Sequence, residues 1–598
     1  MPNKKLLHKQ LITRRTFIIG LGKIGLLFLL AGRMFYMQFI KKNEYKILAD
    51  NNRIKTILIP PTRGQIFDLN GQRLAQNNNC FRLLLEKNAN RHFHKEIELI
   101  IKLLNLDQDQ IIELQKRVKR GGYKVAAVIL DYLEWNQLAI IEEQKPALKS
   151  LFIDTGFDRY YAFGIATAHL IGCLGRPNNS KGQKSGLYDE TFKIGKSGVE
   201  KFYENSIQGE FGFKRIEINA LGHYVRELGG QSSICGQNLH LNIDAELQTK
   251  TMQSLSPKGC SAIVIDCNTG GVLICASSPS FDPNQFKRLS HLYWNELLNN
   301  PYKPLINKTV RGVYPPGSIF KIITILAALE HGIEPEHRVT CTGRAILGGN
   351  SFRCSSHRGH GSLNMVEAIK HSCNSYIYDI AHRTGANNII NVARTFGFGM
   401  PTGIDLPNEL SGFLPTPKWK KKKYGSKWSL GDTLNLAVGQ GFLLSTPMQL
   451  ARFITAIATN GKLFTPQIAI NTPEYTQLNI NHKHLETIKT GLYYVMNKAG
   501  GTGYLSKLKY NTIQMAGKTG TAQVQAKKNA ADNLNRDSIA WSRRNHAIFS
   551  GYAPHDNPQY AISIYFDHGG GGGRAAAPIA KKIMHNVLDK KRLALESV

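Results

Sequence analysis

Acidic side chains are scarce in this chain: Asp and Glu total 43 against 76 Lys and Arg in 598 residues, a formal net charge of +33. Such an excess would suit a nucleic-acid binder, but no basic stretch carries the interleaved aromatics that stacking on bases requires. The nearest is Lys418-Trp419-Lys420-Lys421-Lys422-Lys423-Tyr424, which reads as a loop over the largest domain. Nucleic acid is therefore excluded as a partner. The surplus reads as a Lys-, Asn- and Ile-rich composition spread over solvated surface, with attraction to anionic membranes and polymers as the functional alternative. Internal repeats are also missing, which excludes a repeat architecture.

A small-x-small cleavage site is lacking after the apolar run Phe17 to Ile40, so this run reads as a retained anchor rather than a removed signal peptide. Its length suits one bilayer crossing, with Lys23 and Arg33 as interruptions. Lys4, Lys5, Lys9, Arg14 and Arg15 precede it, which keeps residues 1–16 in the cytoplasm and sends the remainder outside.

Residues 41–235 carry no catalytic constellation and read as a spacer or docking module. Arg63-Gly64-Gln65-Ile66-Phe67-Asp68 and Asn70-Gly71 read as strand and turn, and the apolar spacing from His94 to Lys119 predicts two helices. Gly195-Lys196-Ser197-Gly198 leads to a turn at Gly209–Gly212. From residue 236 the pattern changes. Ser261–Asp266 and Val272–Ser277 flank an Asn-Thr-Gly-Gly turn and form a hairpin. Ser318 to Ile457 is mostly helical, strands return at Ala547–Tyr552 and Tyr560–Phe566, and a last helix spans Pro578 to Leu588. Strands at both ends of a helical middle imply one α+β domain whose sheet pairs distant segments.

Within that domain Pro315-Pro316-Gly317 breaks the chain just before Ser318-Ile319-Phe320-Lys321 and an almost purely apolar run to Leu329. Ser318 reads as the opening residue of a buried helix, with Lys321 one turn on and on the same face. Burial would lower the lysine pKa so that a neutral amine could take the serine proton, and the helix N-terminus offers N–H groups to an oxyanion. Alone, S-x-x-K is weak: Ser506-Lys507-Leu508-Lys509 also fits and reads as an exposed turn. Likewise Lys489-Thr490-Gly491 duplicates K-T-G on what reads as a helix face. Context singles out Ser318, because Ser372-Cys373-Asn374 and then Lys518-Thr519-Gly520-Thr521 follow in order. S-x-x-K, S-x-N and K-T-G in that order form the signature of penicilloyl-serine transferases.

Nine cysteines are present, an odd number. Cys260, Cys267 and Cys275 lie in or beside the apolar hairpin and read as core residues. Cys341, Cys354 and Cys373 instead bracket a Gly-rich segment that also holds His357 and His360. Three thiolates and one imidazole would make a closed tetrahedral zinc site; a Cys341–Cys354 disulfide with Cys373 free is the alternative.

With these motifs placed, the chain resembles the class B penicillin-binding proteins over nearly its whole length. The anchor, Arg63-Gly64-x-Ile66-x-Asp68-x-x-Gly71 and the Gly195–Gly212 segment fall in that family's order. Asp567-His568 with its five following glycines, and the Cys/His cluster, resemble the cell-elongation branch more than the division branch. The resemblance departs at Leu69, where an arginine is common. It implies an elongated α+β pedestal of dimerisation type (41–235), then a transpeptidase domain (236–598) with a central antiparallel sheet, helices on both faces and a helical subdomain. By the same resemblance the activity is that of a serine-type D-Ala-D-Ala transpeptidase or carboxypeptidase, in the inner membrane with its catalytic domain periplasmic. Ser318 would be the nucleophile, Lys321 the base, Ser372 the relay to the leaving D-Ala, and Asn374 a substrate contact. Lys518, Thr519 and Gly520 would hold the stem carboxylate, with Thr521 lending an oxyanion-hole N–H. Implied partners are peptidoglycan stem peptides, β-lactams and a membrane glycan polymerase. The implied metal is structural zinc on Cys341, Cys354, His360 and Cys373, with no organic cofactor. A β-lactamase, a penicillin sensor and the division paralogue are the rival readings.

Overall fold

The structure is a computed structural model that describes residues 14–86, 93–120, 126–177, 193–219, 224–288, 291–347, 349–510, 512–524 and 540–596. Lys4, Lys5 and Lys9 of the expected cytoplasmic tail lie outside the described residues. By packing the chain divides into two compact units. The first comprises residues 1–61, 180–189 and 210–234. Its helix Arg14–Phe35 runs into a π-helical turn, Tyr36–Ile40, and then Lys42–Arg53. Phe17–Ile40 has a mean hydropathy of 1.8 and is long and apolar enough to cross a membrane. Its large side chains are exposed all round, Leu27, Phe28 and Leu29 among them, so apolar surface is left for lipid rather than for a protein core. Three antiparallel strands, Ile54–Ile59, Gly212–Ile218 and Tyr224–Gln231, complete this unit.

The second unit comprises residues 62–179, 190–209 and 235–598. In its N-terminal part Arg73–Glu86 pairs with Ile66–Phe67, Ala126–Leu133 and Leu151–Tyr161. The turn before it is built by Asp68, whose Oδ1 accepts from the N–H groups of Asn70 and Gln72, with Gly71 at φ +79°. Helices Phe93–Leu103 and Gln108–Arg120 stand where the apolar spacing predicts them. Arg63 and Gly64 have physical reasons for being there. Arg63 Nε lies 2.6 Å from Glu200 Oε2, and Arg159 Nε lies 2.8 Å from Glu200 Oε1, with Glu200 fully buried. A Cβ on Gly64 would sit 1.8 Å from the Gln237 carbonyl oxygen. The Arg63–Asp68 stretch and the Gly195–Gly212 segment are thus locked together by one buried carboxylate.

The central sheet of this unit runs Val272–Ser278, Cys260–Asp266, Tyr560–Phe566, His546–Ala553, Ala516–Ala522, all antiparallel. Cys260 pairs with Phe566 in register, so the chain's distant segments close one sheet, as the α+β reading requires. Alternate residues of Cys260–Asp266 enter different apolar clusters. Ala262 and Val264 belong to the cluster that also holds Ala576, Ala580 and Ile583 of the last helix, while Ile263 and Ile265 belong to the one that holds Met448 and Ala451 of helix Pro447–Ala458. Cover on both faces explains the unbroken apolar sequence of this strand. A helical layer including Lys321–Glu330, Asn374–Thr384, Leu430–Ala437 and His482–Asn497 packs beside the sheet.

Three expectations are corrected. Lys418–Tyr424 is helical, within Pro417–Tyr424, because Thr416 caps it and Pro417 supplies its first turn. The last helix runs Gly572–Glu596, with Pro578 inside its second turn: Ala575, Ala576 and Ala577 are strong helix formers that extend it ahead of the proline. Ser506 is buried, not exposed, because its 3-10 turn Tyr504–Ser506 packs under helix Gly572–Glu596. By contrast Lys489 does lie on a helix face, donating to Ala458 O and Asn460 Oδ1.

The buried pedestal network yields a direct test. Glu200→Ala would leave the buried Arg159 guanidinium without its counter-charge, while Arg63 keeps Glu204 at 2.6 Å, a loss of about 3–5 kcal/mol. Denaturant unfolding of the detergent-solubilised chain should show the midpoint fall accordingly.

Candidate active site

Pro315-Pro316 brings the chain into a 3-10 turn, Gly317–Ile319, and the α-helix proper begins only at Lys321. Ser318 is therefore one short turn ahead of the helix rather than its opening residue. The reason is Gly317, whose φ of +54° sets the turn. Gly317 N donates to Gly439 O at 2.9 Å, and a Cβ on Gly439 would sit 2.1 Å from Gly317 O. The Gly439-Gln440-Gly441 loop is thus pressed against the backbone that carries Ser318. On its other side a Cβ on Gly317 would come within 2.8 Å of Thr521 O, so the K-T-G strand abuts the same turn.

Lys321 is buried. Its Nζ donates to Ser372 O at 2.7 Å and to Asn374 Oδ1 at 2.5 Å, and lies 3.2 Å from Ser372 Oγ. Burial pushes its pKa from 10.5 down to about 8, against an opposing pull from Cys354 and Cys373. A neutral amine has two hydrogens, which the Ser372 carbonyl and Asn374 occupy, and one lone pair free to accept a proton. Ser372 achieves this by sitting in the left-handed region, φ +55° and ψ +41°, at the end of helix Met365–His371. That conformation is costly for a non-glycine residue and turns the carbonyl onto the lysine.

Lys518, Thr519, Gly520 and Thr521 lie on Ala516–Ala522, the edge strand of the central sheet. One side of this strand is free of sheet partners among the described residues, a template on which an extended peptide can pair. Lys518 is fully buried, and burial, with the Lys321 charge behind it, holds its pKa well below 10.5. The glycine tail has a use here as well. A Cβ on Gly572 would sit 2.3 Å from Gly520 O, so only glycine lets the last helix approach the K-T-G strand.

The Cys/His segment is more ordered than a bare Gly-rich loop. Val339–Cys341 pairs with Gly361–Leu363, and Arg344–Leu347 with Asn350–Arg353. Cys341, Cys354, His360 and Cys373 converge, with all ligand atoms within 4.8 Å of one another. His360 Nδ1 lies 3.6 Å from both Cys341 Sγ and Cys354 Sγ, and Cys354 Sγ lies 3.8 Å from Cys373 Sγ. His357 is exposed and outside the group. All nine cysteines are free. Cys354 is shifted strongly down by the hydrogen bond from Cys373, whose own thiol is pushed up by that bond. Asn374 N donates to Cys354 Sγ at 3.3 Å, which joins this cluster to the amide that holds Lys321.

Two site residues escaped the sequence reading. Thr502 Oγ1 lies 2.7 Å from Thr519 Oγ1, and Gln440 Nε2 reaches 3.5 Å from Thr521 O. The Gly500-Gly501-Thr502-Gly503 and Gly439-Gln440-Gly441 runs were the available signals, since glycines flanking one polar residue mark close backbone approach.

A serine beside a buried lysine, a second lysine on an open strand edge and a five-stranded antiparallel sheet define the penicillin-recognising serine acyl-transferases. Comparison with known proteins narrows the class. Residues 260–585 match the model of the penicillin binding protein transpeptidase domain, and residues 58–241 that of the penicillin-binding protein dimerisation domain. The peptidoglycan D,D-transpeptidase MrdA of Haemophilus influenzae is 32% identical, over 98% of this chain and 93% of that protein. The penicillin-binding protein 2 of Helicobacter pylori, solved with MreC, superposes with a TM-score of 0.79 at 28% identity, covering 90% of this chain and 99% of that one. A chain from a peptidoglycan synthase complex that coordinates polymerization and crosslinking gives a TM-score of 0.69 at 28% identity, over 96% and 98%. The chain belongs to the penicillin-binding protein 2 (MrdA) family.

With Lys321 as the group that takes the Ser318 proton, a pH dependence is expected: only the neutral amine could accept it, and its pKa lies near 8. The rate of acylation by a penicillin should therefore rise with pH up to about 8 and level off above it. Stopped-flow acylation between pH 6 and 10 reads this directly.

Proposed function

We infer that this chain is a peptidoglycan D,D-transpeptidase of cell-wall elongation that works through a Ser318 acyl-enzyme and is inactivated by β-lactams acylating the same serine. The observation that carries this is the triple contact of Lys321 with Ser372 O, Ser372 Oγ and Asn374 Oδ1, one turn from Ser318. A stem peptide ending in D-Ala-D-Ala pairs along the open edge of Ala516–Ala522, its terminal carboxylate at Lys518 and Thr519. The anion supplies the charge partner that a buried Lys518 otherwise lacks among the described residues. Lys321 takes the Ser318 proton as Oγ attacks the penultimate carbonyl. The N–H groups of Ser318 and Thr521 meet the oxyanion, an effect worth about 3–4 kcal/mol in comparable sites. Ser372 passes a proton to the departing D-Ala amine as the C–N bond breaks. The amine of a second stem then attacks the acyl-enzyme, releases Ser318 and leaves a cross-link.

The apolar helix Phe17–Ile40 anchors the chain in the inner membrane, with its N-terminus cytoplasmic and the catalytic unit periplasmic. The positive residues ahead of the helix support this orientation. The non-catalytic part, residues 41–235, docks a glycan-polymerising membrane protein of the elongation machinery. The relatives solved with MreC and in a synthase complex support such a role.

The Cys/His cluster is read as a structural zinc site. A tetrahedral zinc with Zn–S bonds of about 2.3 Å and Zn–N bonds of about 2.0–2.1 Å needs S···S edges of about 3.8 Å and S···N edges of about 3.6 Å. One S···S separation of 3.8 Å and two S···N separations of 3.6 Å fit, and all four ligand atoms lie within 4.8 Å of one another. Cys341, Cys354, His360 and Cys373 would hold the ion, which would supply structural order and neutralise the thiolates. What the chain itself contributes is the Asn374–Cys354 contact, which fixes the amide facing Lys321.

Fluorescent penicillin should label one site per wild-type chain and none in Ser318→Ala, read by gel and mass spectrometry; labelling that survives the substitution removes the assignment. For the metal, elemental analysis should find about one zinc per chain, by the four-ligand count. Cys354→Ser should lose the zinc and lower the melting temperature. A mapped Cys341–Cys354 disulfide would exclude the site.

A further inference from the structure

Next to the nucleophile turn lies a surface that the acyl-transfer chemistry does not use. Helix Pro417–Tyr424 presents Trp419 to three aromatic neighbours: Phe413 at 4.6 Å between ring centroids, Phe442 at 5.1 Å and Tyr424 at 5.7 Å. Tyr424 and Phe442 stack on each other at 5.4 Å, and both remain open to solvent, 51% and 38% exposed. Together with Gly441 and Leu444 these rings line a cleft of about 360 Å³. Lys423 Nζ stands over the Trp419 and Tyr424 rings at 5.3 and 5.5 Å. The charge on the segment that carries Phe413, Trp419 and Tyr424 is of one sign. No Asp or Glu occurs between Glu409 and Asp432, and Asp432 is already paired with Lys420. Lys418, Lys421, Lys422 and Lys423 are all exposed.

The cleft is continuous with the catalytic site through its floor. Gly439 O accepts from Gly317 N, Gln440 reaches toward Thr521, and Phe442 follows two residues later, a span of at most about 7 Å. Phe413 and Leu444 exchange a pair of backbone hydrogen bonds, as do Tyr314 and Ser445 just beyond. A ligand seated among these rings would therefore have its neighbouring segment at Ser318.

We propose that this cleft is a subsite for the glycan strand that carries the stem peptide. Amino-sugar rings would rest on Trp419, Tyr424 and Phe442, and stem carboxylates would face the lysines of the helix. Exposed aromatic faces recognise the flat, C–H-rich faces of saturated rings, and the lysine row recognises anions. A polymer of amino sugars bearing acidic peptides has both features. This rests on the transpeptidase reading, and it adds that the enzyme prefers stems attached to a strand over free stems.

The test uses full-length protein in detergent: wild type, Trp419→Ala, Tyr424→Ala, and a triple change of Lys421, Lys422 and Lys423 to Gln. Each is assayed for fluorescent-penicillin acylation, for turnover of a soluble pentapeptide stem, and for turnover of uncross-linked glycan strands bearing pentapeptide stems. Acylation and free-peptide turnover should match wild type in all variants. Turnover of strands should fall about tenfold through KM in Trp419→Ala and by less in Tyr424→Ala, the size expected from losing one or two ring contacts. In the triple variant the salt dependence of strand turnover should flatten. An equal loss on strands and free peptide would show that the rings merely brace the Gly439–Gly441 loop, and would overturn the proposal. So would unchanged strand turnover in the Tyr424 and lysine variants, which keeps the test decisive if Trp419→Ala misfolds. Binding to anionic phospholipid vesicles that the triple variant loses, with strand turnover intact, would assign the surface to the membrane and likewise overturn it. Absence of acylation in wild type would instead remove the transpeptidase reading itself.

Discussion

The catalytic unit depends on one buried amine. Lys321 sits inside a helix nine of whose ten residues are buried, where an ammonium is costly to keep. The surrounding structure accepts that cost by supplying two acceptors and leaving one lone pair. Ser372 reaches its place only in a left-handed conformation, and Asn374 only as the first residue of the next helix. Both follow the short break between Met365–His371 and Asn374–Thr384, so the S-x-N spacing is the geometry of a helix–helix junction. The base and its two holders are therefore one structural object, and none of the three can move without the others.

The second lysine extends the same logic. Lys518 is as buried as Lys321, and each opposes the other's charge. A neutral Lys321 is thus easier to maintain once Lys518 carries a proton, and Lys518 can do so when an anion reaches it. A carboxylate arriving at the K-T-G strand would bring Lys518 the counter-charge that makes its protonated form tenable in a buried site. Two amines thus share one apolar site, and each is easier to keep there while the other is neutral or paired.

How much of this was legible in the sequence follows from the range of each interaction. Ser318 and Lys321 were readable because one helical turn separates them and Pro-Pro-Gly marks the start. The hairpin at Cys260–Ser278 and the two helices between His94 and Lys119 are likewise local. Thr416-Pro417 carries the same cap signal as Thr446-Pro447, yet the run of lysines behind it disguised a helix as a loop. Ser372 gives no sign of its positive φ, since nothing about a serine announces a left-handed turn. Thr502 meets Thr519 only because helix His482–Asn497 packs along the K-T-G strand. The four-residue Cys/His group was proposed on resemblance; its convergence depends on two small ribbons that neither composition nor spacing specifies.

The glycines show how the parts are held in register. Gly317 and Gly439 bring the loop of Gln440 onto the nucleophile turn, and Gly572 brings the last helix onto Gly520, in each case at distances a Cβ would forbid. These approaches fix backbone to backbone, without side chains that could adopt other rotamers. Ser318, the K-T-G edge and the Phe442 loop therefore form one rigid frame around an open strand edge. Rigidity there has a chemical consequence, because oxyanion stabilisation requires N–H groups already aimed before charge develops. The mobile partner in the reaction is then the substrate, which must be brought to a fixed site. A surface that grips the polymer some residues away from the reacting bond meets that need without loosening the frame.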